Sequence, residues 1–179
     1  MTRTVDQQRA SVLTAAVAHD ELAFRRIIAE HHDDMRRIAV YITRDRALAE
    51  EATQAAWLIA WKKLGKVRDD DHLRPWLLSV AAYEAKRVLR NQRRRAKVEV
   101  ASDVAMEPAD TEPVADVRTL DLRAAMARLD PDDRALLAMK YGAGFDSNEL
   151  SLATGISPSG TRSRIERLLK RLREELSDD

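Results

Sequence analysis

The chain has no cysteine among its 179 residues. Disulfides and thiolate metal sites are therefore excluded, and a reducing compartment is permitted. Glycine and proline are scarce, at five each, and alternating strand patterns of Val, Ile and Thr are absent. No apolar run approaches the roughly 20 residues needed to cross a bilayer. The opening residues MTRTVDQQRA are polar and lack the apolar core of a signal peptide. A soluble, cytoplasmic protein is expected. There is no glycine-rich phosphate loop and no nucleophile elbow, so no enzyme is expected, and no cofactor. Leucine, alanine, arginine and glutamate, all good helix formers, dominate instead. The fold class expected is all-α.

The near-zero net charge of +1 conceals a segregation of charge. Residues 1–97 carry 20 basic and 13 acidic side chains, and residues 98–116 carry six acids and no base. The remaining residues balance at 11 of each. Segregated charge suggests separate partners for separate segments. The acidic stretch Val98 to Asp116, with two prolines and no apolar stripe, reads as a flexible linker between two helical units.

In the first unit, helices are expected from Gln8 to His19 and from a cap at Asp20 to the His31-His32-Asp33-Asp34 cluster. A third is expected from Asp33 to Thr43, striped by Met35, Ile38, Ala39 and Ile42, and a fourth from Ala47 to Leu64 with acids near its start. After the loop GKVRDDD, a long helix is expected from Leu73 into RNQRRR, with Pro75 tolerated near its start. In the second unit, Val117 to Leu129 forms a helix. Asp130 and Pro131 then cap and start the next. Asp146 and Glu149 have capping-box spacing and open a short helix that ends near Thr154, where Gly155 can take a left-handed turn. Ser157-Pro158 starts the last helix, with Ile165, Leu168, Leu169, Leu172 and Leu176 as its buried stripe.

Short helix, glycine turn and second capped helix together form the grammar of a helix-turn-helix. Opposite the apolar stripe lie Ser159, Gly160, Ser163, Glu166 and Arg167, flanked by Arg162 and Arg164. Small residues let such a helix enter a major groove, and arginine can reach guanine edges. Gly160 costs about 1 kcal/mol of helix propensity, a cost that close approach to DNA would explain. A solvated amphipathic helix is the plainer alternative. His31-His32-Asp33-Asp34 is the one cluster of ligand-type residues. Neighbours on a helix point about 100° apart and no second set supports them, so a surface helix junction is expected rather than a metal site.

These features resemble the extracytoplasmic-function sigma factors, a group of the bacterial sigma-70 family. The segment LDPDDRALLAMKYGAGFDSNELSLATGISPSGTRSRIERLLKRLREEL is similar to sigma domain 4. ALAEEATQAAWLIAWKKL and LRPWLLSVAAYEAKRVLRNQRRR are similar to the two signatures of sigma domain 2. The resemblance implies residues 1–18 as an N-terminal segment, 19–97 as domain 2, 98–116 as a connector and 117–179 as domain 4. It further implies binding of core RNA polymerase through Glu50, Glu51, Gln54 and Trp57, although Trp57 and Trp61 read more readily as core. The minus-ten promoter element would be met by Lys66, Arg68, Tyr83, Lys86, Arg87, Arg90, Arg93 and Arg94, with Arg95 adding charge. The loop Lys66 to Asp71 would receive a flipped base. The minus-thirty-five element would be met by the face from Ser159 to Arg167. An anti-sigma factor is an implied partner. Three departures stand out. Tyr83 occupies a usual asparagine position, Asp69 a common glycine position, and Ser159-Gly160-Thr161 replaces the usual "g-T-V". A stand-alone helix-turn-helix regulator remains the alternative.

Overall fold

The structure, a computed structural model, describes residues 12–98 and 117–177. The acidic stretch 99–116 and the first residues of the expected Gln8 helix lie outside them. The described residues form helices joined by turns. The N-terminal unit contains α1 (residues 12–17), α2 (Glu21–Thr43), α3 (Arg46–Lys63), a 3₁₀ turn (Leu64–Lys66) and α4 (Asp70–Val98). The C-terminal unit contains α5 (Val117–Arg128), α6 (Pro131–Leu137), a π-helical turn (Ala138–Gly142), α7 (Ser147–Thr154) and α8 (Pro158–Ser177).

Helices α2, α3 and α4 pack on one another as a bundle. Its seam on α3 is made of Ala49, Ala52, Ala56 and Ala60, all fully buried. Their small side chains allow close approach to α4, which offers Ala81, Ala82 and Ala85. Bulk comes from Met35, Ile38, Ile42, Leu77 and Leu78. Phe24 meets Trp57 and Trp61 edge-on, at centroid distances of 5.8 and 4.8 Å. Each such pair contributes about 0.5–1.5 kcal/mol beyond burial alone.

One helix spans Glu21 to Thr43 where two were expected. Asp33 and Asp34 looked like a helix start because aspartate favours caps. Here Asp33 pairs with Arg36, and Asp34 with Arg37 and Arg74, so neither side chain competes for the backbone. The four ligand-type residues thus lie within one helix instead of at a junction. His31 is buried, and the His32 Nδ1 accepts a 3.2 Å bond from the Trp57 indole N–H.

Helix α4 begins at Asp70, three residues before the expected Leu73. Asp69 caps it by accepting from the His72 N–H at 3.1 Å. Two of the seven residues of the expected loop, Asp70 and Asp71, are therefore in α4, and Pro75 falls in the second turn. The expected acids of α3 also shift. The cap is Asp45, bound by the Leu48 N–H at 2.9 Å, and Glu50 and Glu51 come a turn later.

In the C-terminal unit, Asp130 accepts from the Asp132 and Asp133 N–H groups, with Pro131 in the first turn. Asp146 and Glu149 form a reciprocal capping box, and Gly155 closes α7 at φ 73°. Ile165, Leu168 and Leu172 are buried, but Leu176, expected in the stripe, is 38% exposed in the last turn of α8.

Candidate nucleic-acid interface

Two basic surfaces emerge, one on each unit. On α8, Ser159, Arg162, Ser163, Glu166 and Arg167 are exposed around the buried stripe. Arg162 makes no hydrogen bond or ion pair among the described residues. Arg167 reaches only the Ser163 carbonyl of its own helix, at 3.3 Å. Both guanidinium groups are thus presented outward from a helix whose N-terminal turn is held by Ser157, which accepts from the Gly160 N–H at 3.2 Å.

Three residues of this helix have duties that the sequence did not disclose. A Cβ on Gly160 would come within 3.0 Å of the Ile156 Cγ2 and 3.1 Å of the Ser157 Oγ. The glycine therefore makes room for the turn and its cap, a reason internal to the fold. Thr161 is fully buried, and its hydroxyl donates to the Ile156 carbonyl at 3.4 Å. That hydroxyl faces the protein. Arg164 donates to the Asp133 carboxylate on α6 from both Nε and Nη2, each at 2.7 Å. Of the arginines grouped for DNA contact, this one ties α8 to α6 of its own unit.

The Asp133 carboxyl is pushed above its ordinary range by burial, and its bond to Asp130 adds to the rise against the pull of Arg164. Burial pushes Asp130 the same way, but the hydrogen bonds it accepts from Asp133 and Asp132 outweigh it and hold that carboxyl below its ordinary value. The pair therefore splits, as expected of two carboxyls sharing one set of donors.

On α4, Tyr83 is 56% exposed, and Arg87, Arg90 and Arg94 follow it on exposed positions at spacings of three and four. Arg87 is held by Glu84 at 2.6 Å, and Glu84 is almost fully buried. Burial of a glutamate needs such a partner, so Glu84 positions Arg87; nothing in the sequence motif marked it. Lys86, Arg90 and Arg93 line a cleft of about 350 Å³ that also receives Asp130, Asp132 and Arg164 from the other unit. Lys66 and Arg68 are exposed beside the start of α4. The Asp69 carboxyl there is held below its ordinary value by its bond to the His72 side chain. Asp69 thus stands where a glycine is common because it caps the helix.

On α3, Glu51 and Gln54 are exposed on successive turns, and Gln54 donates to Glu50 at 3.1 Å. Trp57 is 9% exposed and wedged against Phe24, so it supports this face from beneath. Leu58 was not singled out in the sequence, yet it is 66% exposed and follows Gln54 by four residues. An uncovered leucine one turn beyond an acid and an amide is the signal that sequence inspection lacked, since periodicity alone assigns leucine to cores.

Comparison with known proteins agrees with this division. The family model for Sigma-70 region 2 matches residues 27–95, and that for Sigma-70 region 4 matches residues 119–172. The chain belongs to the sigma-70 family of RNA polymerase sigma factors, in its extracytoplasmic-function group. It is 29% identical to the RNA polymerase sigma factor CarQ of Myxococcus xanthus, over 87% of this chain and 90% of that one. It is 28% identical to the extracytoplasmic-function sigma factor SigM of Mycobacterium tuberculosis, over 93% and 84% of the two chains. A probable sigma factor, RfaY of Xanthomonas campestris, is 31% identical over 97% of this chain, which spans only 45% of that relative's length. The fold is similar to that of the sigma factor RpoE of Bartonella quintana, solved with its anti-sigma factor NepR, at a TM-score of 0.73 and 20% identity, over 87% of this chain and 98% of that one. CnrH, solved with the cytosolic domain of CnrY, gives a TM-score of 0.70 at 20% identity, over 96% and 98% of the chains.

Proposed function

We propose that this chain binds core RNA polymerase and directs it to a set of promoters. Residues 19–97 serve as domain 2, residues 98–116 as an acidic connector and residues 117–179 as domain 4. Glu51 and Gln54, joined by Leu58, offer the polymerase an acidic and apolar face on α3. The exposed stripe of α4, with Tyr83, Arg87, Arg90 and Arg94, meets the minus-ten element, and Lys66 and Arg68 flank the place of a flipped base. Tyr83, standing free of the core, offers a ring on which a base can stack. Arg162 and Arg167, with Ser159, Ser163 and Glu166, read the minus-thirty-five element in the major groove. In this account the chain selects sites, and the chemistry of RNA synthesis belongs to the polymerase. An anti-sigma factor that covers the α3 face and the helix-turn-helix is the natural regulator, given that RpoE was solved with the anti-sigma factor NepR.

The observation that carries this reading is the coexistence in one chain of an outward arginine pair on a capped helix-turn-helix and an exposed, non-basic face on α3. A free-standing DNA-binding regulator has use only for the first. Promoter-dependent run-off transcription with core polymerase tests the proposal. Transcripts that require both this chain and a defined promoter are expected. DNA binding without any transcript would favour the free-standing regulator.

A further inference from the structure

The His31-His32-Asp33-Asp34 cluster lies within α2, and its members face different neighbours. Asp33 pairs with Arg36 of the same helix at 3.9 Å. Asp34 accepts from Nε and Nη2 of Arg74 on α4, at 2.9 and 2.8 Å. His32 meets α3, where the Trp57 indole N–H donates to its Nδ1 at 3.2 Å. His32 and Asp34 stand two residues apart, about 200° around a helix, so they reach opposite neighbours. An indole N–H can only donate. The His32 Nδ1 therefore accepts, and the neutral imidazole carries its proton on Nε2.

Trp57 has a particular place on α3. The buried residues of that helix are Ala49, Ala52, Thr53, Ala56, Trp57 and Ala60. Thr53 gives its hydroxyl to the Ala49 carbonyl of its own helix at 2.8 Å. Trp57 is the one large side chain among them. Alanines permit close approach but interlock little, so the rotation of α3 against α2 depends on how the Trp57 ring is held. Phe24 meets that ring edge-on, a contact that leaves it room to pivot within centroid distances of about 4.5–7 Å. The bond to His32 has one direction. Gln54 lies one turn before Trp57 and Leu58 directly follows it, both exposed, so a turn of the ring turns that side of the helix.

A buried donor of the C-terminal unit is held differently. Arg134 of α6 gives its Nε to the Ile42 carbonyl at 3.1 Å, and its Nη1 to the Ala127 and Leu129 carbonyls at 3.2 and 2.6 Å. Those acceptors are backbone. The acceptor of Trp57 is a side chain, which a single substitution removes.

We propose that His32 is a positioning residue for the polymerase-binding face. Its Nδ1 seats the Trp57 indole, and the seated indole sets the rotation at which α3 presents Glu51, Gln54 and Leu58. The consequence for the polymerase rests on the reading of that face; the seat does not.

Two substitutions of similar shape in the full chain test it. His32→Asn keeps an acceptor near the place of Nδ1, and His32→Leu has none. The chain has three tryptophans, and Trp57→Phe identifies the indole N–H signal of Trp57 in nuclear magnetic resonance spectra. Hydrogen exchange at that indole should be about fivefold faster in His32→Leu than in wild type, and unchanged in His32→Asn. Binding to core polymerase should weaken about fivefold in His32→Leu, the size of one hydrogen bond, and be kept in His32→Asn. In a Trp57→Phe background the two substitutions should no longer differ. A packing role alone would not give that pattern, because leucine fills the space as asparagine does. An indole that exchanges alike in all three chains would overturn the seat. Equal polymerase binding by wild type and His32→Leu, or a difference that persists without the Trp57 N–H, would overturn the positioning role. A wild type that does not bind polymerase would sink the reading of the α3 face and the positioning with it, while indole exchange would still decide the seat.

Discussion

The α4 and α8 helices both carry rows of arginine, yet their arginines are employed differently. On α8, Arg162 and Arg167 point outward and Arg164 is tied to Asp133. On α4, Arg87 is tied to the buried Glu84, Arg90 and Arg93 border a cleft against the other unit, and Lys86 is paired across it. Each helix therefore uses some cations to fix its own position and leaves others unpaired. On α8 the free ones are open to solution; on α4 part of the row stands against an acidic turn. Basic residues in a row are not equivalent, and burial together with pairing separates the structural from the available.

Arg134→Ala should produce the largest change, because it strips three carbonyls of one buried donor. A loss of about 3 kcal/mol is expected in denaturant unfolding, since a buried group left unsatisfied costs about 1–3 kcal/mol. A loss below about 0.5 kcal/mol would mean that α6 is not anchored in this way. Arg164→Ala should follow, at about 2 kcal/mol, for it leaves the largely buried Asp133 without its cation. By contrast, Arg162→Ala and Arg167→Ala should each change stability by less than about 0.5 kcal/mol. Their effect belongs to DNA, where a lost base contact costs about 1–3 kcal/mol and relaxes specificity at one position. Binding to a panel of upstream-element variants measures it. If Arg164→Ala behaved like Arg162→Ala in both assays, the distinction drawn on α8 would collapse.

The smallest expected effect is on pH dependence. Asp130 has its folded value depressed, so its contribution is present above the ordinary 3.8 and lost as pH falls through the lower folded value. Asp133 is raised, so its contribution is greatest below 3.8 and is lost as pH rises through the higher folded value. The two oppose each other. Asp130→Asn, which keeps a capping oxygen, should make unfolding less sensitive to acid below pH 3.8, as followed by thermal melts across an acid series. A steeper acid limb in that variant would contradict the assignment.

What could be read in advance was largely local. The caps at Asp20, Asp130 and Asp146 and the left-handed Gly155 are consequences of residues at most three apart, and they stand where expected. Misreadings arose where a partner lies far along the chain. Asp34 looked like a helix start because Arg74, which holds it, is 40 residues away. The tie of Arg164 to Asp133 could not be read in advance either, because Asp133 is 31 residues away. The purpose of Gly160 was sought outside the protein, whereas the crowding by Ile156 and Ser157 is set by the turn geometry. Leu58 and Glu84 invert the usual rule, one apolar and exposed, the other charged and buried. No periodicity distinguishes such positions from their neighbours until the packing is known.

The central claim is that the exposed face of α3 holds core RNA polymerase. Binding of the full chain to core polymerase, wild type beside Glu51→Arg/Gln54→Ala, tests it most directly. Both residues are exposed, so the variant should fold, and circular dichroism verifies that it does. The account predicts tight binding by the wild type and a loss of about tenfold or more in the variant, the equivalent of about 1.4 kcal/mol. Equal binding by both would contradict the α3 interface, and binding by neither would contradict the sigma-factor function itself.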